Sequence, residues 1–378
     1  MRPIMRKSAV LSLSALALAG AICESVSYGQ QTTAPSAAAV KPAAHDVVLP
    51  VTVRDKKGAL VTDMQKSDLS LSEDGRPQTI KSFTREAGLP IRVGLLVDTS
   101  RGVNAAMEEE RKATVQLVDA VLPASGSSKD QVFLIHFDRE VELLEDFTNS
   151  REKVDRELDA MGATKQERYE NQGPETTGDD RPATRHGHDG TQLYDAIYLA
   201  ADELMKSKDG LKTLVLFSNG ADRGSKETLN DAIDAADRAN LQIYTIFFKG
   251  QQEKSDADAA GQHRRGGMGG GWPGSGGGGY PGGGKRTPEP TSAAGVDGKK
   301  VMQQIAARTG GHAFEARKPG DLQAIYKLIE EEMRAQYLLT YTPDKADEEG
   351  SFHKVELKAR KEELSVSAPE GYYSPERK

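Results

Sequence analysis

Three short stretches of the sequence place oxygen-bearing side chains directly after apolar runs or at the predicted start of a helix. They are "VDTSRG", "GTQLYDAI" and "FSNGADRGS". A carboxylate, two hydroxyls and a side-chain amide are ligands that suit a hard divalent cation, with water completing the coordination. These residue types predict a cation site, provided that the fold brings them together. The candidate ligands are Asp98, Ser100, Thr191 and Asn219.

The elements that must position these side chains are predicted from four continuous apolar runs. Such runs are typical of parallel strands buried on both faces of a sheet. The runs are 91–97, 131–137, 211–217 and 241–248. Helical patterns separate them, and this repetition predicts a doubly wound, mostly parallel α/β sheet. Since ligands bind such sheets at the carboxyl ends of the strands, we expect the three stretches to meet there.

The predicted helices show apolar residues at a 3.6-residue spacing. One has its apolar face at Thr114, Leu117, Val118 and Val121, and another at Leu193, Ile197, Ala200 and Leu204. Further helices are predicted from Asn149 to Met161 and over 225–239, 298–308 and 321–334.

Both ends of the α/β region carry segments of alternating apolar and polar residues. Residues 46–90 alternate between turn signals, including the Asp-Gly pair of "EDGRP", and predict a small β module. We assign 91–345 to the α/β domain and 346–378 to a C-terminal β hairpin and tail. Neither β segment is large enough to be stable alone, so we expect the two to pair.

In this order, "VGLLVDTSRG", "GTQLYDAI" and "VLFSNGADRGS" resemble the von Willebrand factor type A domain and its metal ion-dependent adhesion site. The preceding β module and the endings "QYLLTYTP" and "GYYSP" are similar to the exported bacterial VWFA-related family. The resemblance covers about 46–375. It implies that Asp98, Ser100 and Thr191 are metal ligands, and that the cation bridges them to an acidic side chain of a protein partner.

Two positions depart from the family pattern. Gly102 replaces a serine and Asn219 an aspartate, while Asp222 is a possible additional ligand. One charge a few Å from a cation contributes about 1 to 4 kcal/mol, so the loss at Asn219 weakens the expected site. We expect Mg²⁺, or Mn²⁺ or Ca²⁺, in a site of reduced affinity. The alternative is that Asp98 only caps the following helix.

The N-terminus predicts export. Basic residues precede a short apolar run, so 1–29 is interpreted as a signal peptide and 30–45 as a flexible linker. The mature chain is expected in the periplasm or outside the cell, with a lipid anchor at Cys23 as the alternative. Cys23 is the only cysteine, and the net charge of −7 argues against a nucleic-acid partner.

Two insertions interrupt the α/β pattern, at 163–190 and 251–296. The first contains His186, His188 and Asp189, which are transition-metal ligand types without an evident fourth ligand. The second is rich in glycine, and we expect it to be disordered. It is interpreted as a spacer, with an adhesive tract as the alternative.

Three functions remain open from the sequence. The first is an exported binding module that captures a protein ligand through the cation, and the second is a structural envelope protein with a non-functional metal site. The third is a hydrolase with Ser100 or Ser218 as nucleophile. It lacks a Gly-x-Ser-x-Gly motif and a histidine placed by a motif, so we expect no enzyme.

Overall fold

The structure is a computed structural model that describes residues 46–85, 89–122, 129–170, 191–249, 297–344 and 349–375, with the backbone alone for 162–170. The predicted signal peptide, the linker, the histidine-containing stretch 185–190 and the glycine-rich insertion 251–296 lie outside the described residues. Among the described helices, none has the length and apolar character needed to cross a membrane.

The strands fall into two groups, one in a central sheet and one in a β module. Those of the module are β1 (Val47–Asp55), β2 (Leu69–Glu73), β3 (Arg76–Gln78), β4 (Ile80–Arg85), β11 (Tyr337–Tyr341), β12 (Phe352–Ala359), β13 (Leu364–Ser367) and β14 (Gly371–Tyr373). Those of the central sheet are β5 (Ile91–Asp98), β6 (Gln131–Phe137), β7 (Val141–Thr148), β8 (Leu211–Ser218), β9 (Gln242–Phe248) and β10 (Ala313–Ala316).

The central sheet has the order β10-β9-β8-β5-β6-β7. Every pairing is parallel except that of β6 with β7, which is antiparallel. The strand order reverses between β5 and β8, because the chain leaves β5 toward β6 and later returns to the other side of β5. This is the topological switch point at which open α/β sheets bind ligands.

Helices cover both faces of this sheet. They are α1 (Met107–Val121), α2 (Arg151–Glu170), α3 (Leu193–Tyr198), α4 (Leu229–Arg238), α5 (Gly298–Arg308) and α6 (Leu322–Ala335). The buried residues of α1, α2 and α6 share one core with one face of the sheet, and those of α3, α4 and α5 share a second core with the other face. The predicted doubly wound α/β fold is confirmed.

The β module consists of two antiparallel sheets around a core of their own. One sheet has the order β13-β1-β11-β4 and the other β14-β12-β2-β3. Leu49, Leu71, Leu339 and Tyr341 are among its buried residues. The Asp-Gly pair forms the predicted hairpin between β2 and β3, with φ of 47° at Asp74 and 78° at Gly75, as a type I′ turn requires.

The structure corrects two assignments of strands. β11 was assigned to the α/β domain, but it lies between β1 and β4 in the module. Within the predicted C-terminal hairpin, β12 and β14 form an antiparallel pair, but they are not consecutive: β13 lies between them in sequence and pairs with β1, and β12 also pairs with β2. Alternation specifies which face of a strand is buried, but it does not specify the partner strand.

Two predicted helix bounds and one missed strand also differ from the structure. The helix predicted to end near Met161 continues to Glu170. The helix predicted from Ser225 begins at Leu229, because Thr228 caps it in a capping box with Asp231. The sequence analysis did not identify β7, whose residues are largely half-buried or exposed at the edge of the sheet.

Candidate functional site

Asp98 is the last residue of β5 and is fully buried at the switch point, with a relative exposure of 0%. Its Oδ1 accepts the N–H of Ser100 at 2.8 Å, and its Oδ2 accepts the hydroxyl of Ser218 at 2.7 Å. Ser218 is the last residue of β8, so this second bond joins the strands on either side of the switch point. Asp98 therefore has a fixed position at the carboxyl edge of the sheet.

The hydroxyl of Ser100 is buried beside Asp98 and, within the described residues, makes no hydrogen bond of normal geometry. Ser100 precedes the 3-10 segment Arg101–Ala106, but its side chain makes no capping bond to that segment. A buried polar group without a partner costs free energy, so such a group needs an explanation, for example an ion bound at the site.

The two residues that depart from the family pattern lie against each other. A Cβ atom added at Gly102 would lie 2.3 Å from Asn219 Nδ2. The amide of Asn219 therefore occupies the space that a serine side chain at position 102 would need. Its Oδ1 accepts the N–H of Ala221 at 2.8 Å. The glycine at position 102 and the asparagine at position 219 are therefore sterically linked.

The loop that contains Thr191 lies beside the loop after β8. The N–H of Arg223 donates to the Thr191 carbonyl at 3.0 Å, and Thr191 is 6% exposed. Asp222 faces the start of α3, where its Oδ1 accepts the Ser225 hydroxyl at 2.6 Å and the Tyr194 N–H at 3.2 Å. Its described contacts are those of a residue that caps α3, which accounts for its carboxylate without a ligand role.

The electrostatic environment of Asp98 is negative. Burial raises the pKa of the Asp98 carboxyl, and the nearby Asp138 raises it further, whereas hydrogen bonds from Ser100 and Ser218 lower it. Among the ion pairs of the described residues, none joins a lysine or arginine to Asp98. A buried carboxylate without a positive neighbour favours either a proton or a bound cation.

The residues at this edge fit a hard cation. Asp98 and the Ser100 hydroxyl are oxygen donors, and Thr191 lies on the adjoining loop. They would hold a cation such as Mg²⁺ with water in the remaining positions, and the cation would supply a Lewis-acidic position for an oxygen ligand. The described contact of Asn219 Oδ1 is to Ala221, so the amide is a weaker candidate than the other three residues.

The strand order is that of a doubly wound α/β domain, and three loops meet at its switch point. We call it the type A-like domain, after the sequence resemblance that predicted its strands and loops.

No family model matches the sequence, and no curated protein matches it. Solved structures similar to the type A-like domain include a von Willebrand factor type A protein from Catenulispora acidiphila, with a TM-score of 0.40 and 10% identity over 88% of this chain and 74% of that one. An aerotolerance-related membrane protein from Bacteroides fragilis has a TM-score of 0.38 and 15% identity over 64% of this chain and 98% of that one.

Proximal thread matrix protein 1 from the mussel byssus has a TM-score of 0.40 and 11% identity over 66% of this chain. This chain covers 49% of that protein, which has also been solved with zinc in its metal ion-dependent adhesion site. At TM-scores of 0.40 or below, these likenesses carry no argument about the function of this chain.

A second group of possible metal ligands lies in the β module. Glu73, Asp74 and His353 bring ligand atoms within 4.8 Å of one another. Their hydrogen bonds explain this arrangement without an ion, since the Tyr341 hydroxyl donates to Glu73 at 2.6 Å and His353 contacts Asp74 at 2.9 Å and Ser351 at 2.8 Å. We regard this group as part of the module's packing.

The sequence analysis missed two residues of the type A-like domain that matter for the site. Ser218 was considered only as a nucleophile, but it holds Asp98 in place. Asp138 follows the apolar run 131–137 and influences the pKa of Asp98. Both residues could have been identified from the sequence. Each stands at the carboxyl end of a buried strand, which is the criterion by which the other candidates were chosen.

Proposed function

We propose that the type A-like domain binds a protein partner at the carboxyl edge of its central sheet through a divalent cation held by Asp98, Ser100 and Thr191. The observation that supports this function best is the combination, at the switch point, of a buried carboxylate with a buried hydroxyl that makes no hydrogen bond of normal geometry within the described residues. A bound cation would stabilise both side chains, because it would neutralise the Asp98 carboxylate and coordinate the Ser100 hydroxyl oxygen.

An acidic side chain is the partner chemistry that fits this edge. A bound cation leaves a position for one further oxygen ligand, and a carboxylate is the strongest side-chain donor for a hard cation. Arg101 and Arg223 are exposed on the first and third loops, where they add positive charge around the buried site. Complementary charge of this kind speeds association and selects partners.

Titration calorimetry with Mg²⁺ and Mn²⁺ tests the cation. The protein is expected to bind one ion per chain, and Asp98→Asn and Thr191→Ala are expected to abolish the signal. Thr213→Ala is the matched control, because Thr213 is 2% exposed and lies near the opposite end of β8. A folded wild-type protein without any heat of binding would disprove cation binding.

Capture of a partner from envelope extracts tests the protein-binding function. Immobilised protein is expected to retain a partner that EDTA releases and that Asp98→Asn does not retain. Retention that is equal with and without EDTA, and equal for Asp98→Asn, would favour the structural envelope protein, whose contacts do not use the cation site.

The hydrolase receives less support from the contacts. The Ser218 hydroxyl donates to Asp98. Among the described hydrogen bonds, none joins a histidine to Ser100 or Ser218. The histidine contact at this edge is made by Thr99, whose Oγ1 lies 3.4 Å from His136 Nδ1, and Thr99 is only 3% exposed. A catalytic serine must be accessible to its substrate and must lie within hydrogen-bond distance of a base. Ser100 and Ser218 are buried, and within the described contacts neither has such a base.

A further inference from the structure

The hydrogen bonds that bring Glu73, Asp74 and His353 together in the β module also include a serine. Ser351 directly precedes β12 and His353 is the second residue of that strand, so their side chains project from the same face. Ser351 Oγ lies 2.8 Å from His353 Nε2, and Asp74 Oδ2 lies 2.9 Å from His353 Nδ1. A serine, a histidine and an aspartate are thus joined through the two nitrogens of the ring.

Asp74 holds the ring of His353 in the state that a general base needs. The hydrogen bond to His353 is the largest of the effects that lower the pKa of the Asp74 carboxyl, so this group is an ionised acceptor. It takes the Nδ1 proton of the neutral ring, which leaves the lone pair of Nε2 to accept the Ser351 hydroxyl. These are the roles that the three residue types have in serine hydrolases.

Both groups that support the serine are fixed by main-chain contacts and by an aromatic ring. Asp74 lies in the type I′ turn between β2 and β3, where its N–H donates to the Lys354 carbonyl at 2.9 Å. Its Oδ1 accepts the Lys354 N–H at 2.9 Å. The ring of His353 stacks on that of Tyr372, with 5.4 Å between the centroids. The base and its carboxylate are therefore placed by a turn and a strand, which hold a site more precisely than long loops do.

This serine lies at the surface of the β module. Ser351 is half-buried, and 46% of the Asp74 side chain and 13% of the His353 side chain are exposed. The hydroxyl thus has both a base and a route to solvent, which a nucleophile requires. Within the described contacts, Ser100 and Ser218 have neither property.

The contacts of the main chain around Ser351 limit the class of substrate. Its own N–H donates to Ser374 Oγ at 3.1 Å, and the Gly350 N–H donates to the Ser374 carbonyl at 3.2 Å. These two donors are therefore already used and do not stabilise the oxyanion of a tetrahedral intermediate. Loss of a single such donor slows a hydrolase about 100- to 1000-fold. An ester with a good leaving group, such as an aryl ester, can react without this stabilisation, whereas an amide cannot.

We propose that Ser351 is a nucleophile for acyl transfer from activated esters, with His353 as its general base and Asp74 as the positioning residue. Ser351 Oγ forms a bond to the ester carbonyl carbon while its proton passes to His353 Nε2. The bond to the leaving oxygen then breaks, and that oxygen takes the proton. Water adds to the acyl-serine with His353 again as the base, which releases the carboxylic acid and restores Ser351. This activity is separate from cation binding by the type A-like domain.

Labelling of the full-length protein with a fluorophosphonate probe, followed by peptide mass spectrometry, tests the nucleophile. Ser351 is expected to carry the label, and Ser351→Ala and His353→Gln are expected to lose it. Ser70→Ala is the matched control, because Ser70 is an exposed serine of β2 whose described contact is to a main-chain carbonyl. An unlabelled wild type, or a label on Ser374 in place of Ser351, would overturn the proposal.

Hydrolysis of p-nitrophenyl acetate measures the reaction itself. The rate is expected to fall at least about 100-fold in His353→Gln and at least about tenfold in Asp74→Asn. Asparagine adopts the same turn conformation, so Asp74→Asn is expected to keep the melting temperature, and a loss of rate without a loss of stability distinguishes positioning from structural support. EDTA is expected to leave the rate unchanged. Inhibition by EDTA, or equal rates in Ser351→Ala and the wild type, would contradict the assignment.

Discussion

At the scale of single residues, the character of the site depends on Asn219 and Gly102, which occupy shared space. The Asn219 amide accepts the Ala221 N–H through Oδ1 and directs Nδ2 at Gly102. An aspartate at this position can keep the bond to Ala221 and place its second oxygen beside Gly102, where the amide nitrogen now lies. Substitutions at Asn219 and Gly102 test this shared space.

Asn219→Asp is expected to tighten Mg²⁺ binding at least about fivefold, because a hard cation gains more from an anionic oxygen than from an amide. Titration calorimetry measures this change. Asn149→Asp adds the same charge on an exposed residue between β7 and α2 and serves as the control. Unchanged affinity in a folded Asn219→Asp variant would show that this side chain does not face the ion.

Gly102→Ser is expected to destabilise the protein by about 1 kcal/mol, because its Cβ would lie 2.3 Å from Asn219 Nδ2 and the amide must move and give up its hydrogen bond from Ala221. The simple gain of a hydroxyl ligand that the family pattern suggests is thus offset by a steric conflict. In the Asn219→Ala background the conflict disappears. Urea unfolding of both single variants and the double variant gives the coupling energy, and additive effects would contradict the shared space.

At the scale of elements, the packing of α1 against α6 contains a buried carboxyl group. Glu110 in α1 is 0% exposed and accepts the Thr114 hydroxyl at 3.1 Å and the hydroxyl of Tyr326 in α6. Its Oε2 is buried without a partner. Burial raises the pKa of Glu110 to about 7. The helix α1 follows the loop of Asp98 and Ser100. The stability of the packing that supports this loop is therefore expected to depend on the protonation of Glu110.

The folded state is expected to become less stable as pH rises, because it binds the Glu110 proton more tightly than the unfolded chain does. The folded state keeps the proton up to about pH 7, whereas the unfolded chain releases it near its ordinary pKa of about 4.3, so stability falls as pH rises between these values. Glu110→Gln should remove this dependence and stabilise the protein at about pH 8 by roughly 3 kcal/mol relative to its effect at about pH 4. Urea unfolding at both pH values measures the difference; equal effects would show that Glu110 is ionised throughout.

At the scale of the whole molecule, a polar interface fixes the β module to the α/β domain. Arg54 of β1 forms an ion pair with Glu332 of α6, and Glu332 is 1% exposed. Gln336, which directly follows α6, donates to Gln242 and to the Tyr244 hydroxyl on β9. The chain then enters β11, so α6 is joined covalently to the centre of a module sheet.

Arg54→Met is expected to destabilise the protein by about 3 kcal/mol, because it removes the arginine partner of the buried Glu332 carboxylate, whose other described ion-pair contact is His312 at 3.7 Å. Arg54→Met with Glu332→Gln should cost less than Arg54→Met alone. In the wild type, the β module and the α/β domain are also expected to unfold in one transition, with agreement between the calorimetric and van't Hoff enthalpies. Two separate transitions in the wild type would show that the interface contributes little.

The sequence by itself determined the repeating strand and helix pattern, the buried faces and the three loops that meet at the carboxyl edge of the sheet. These features are local, because periodicity depends on neighbouring residues and the carboxyl ends of parallel strands share one edge by geometry. Only the tertiary structure placed β11 between β1 and β4, since alternation does not identify a partner strand. It also decided that Ser218 holds Asp98 and that Asn219 occupies the space beside Gly102. These contacts join residues distant in sequence, and their geometry exists only after the sheet has assembled.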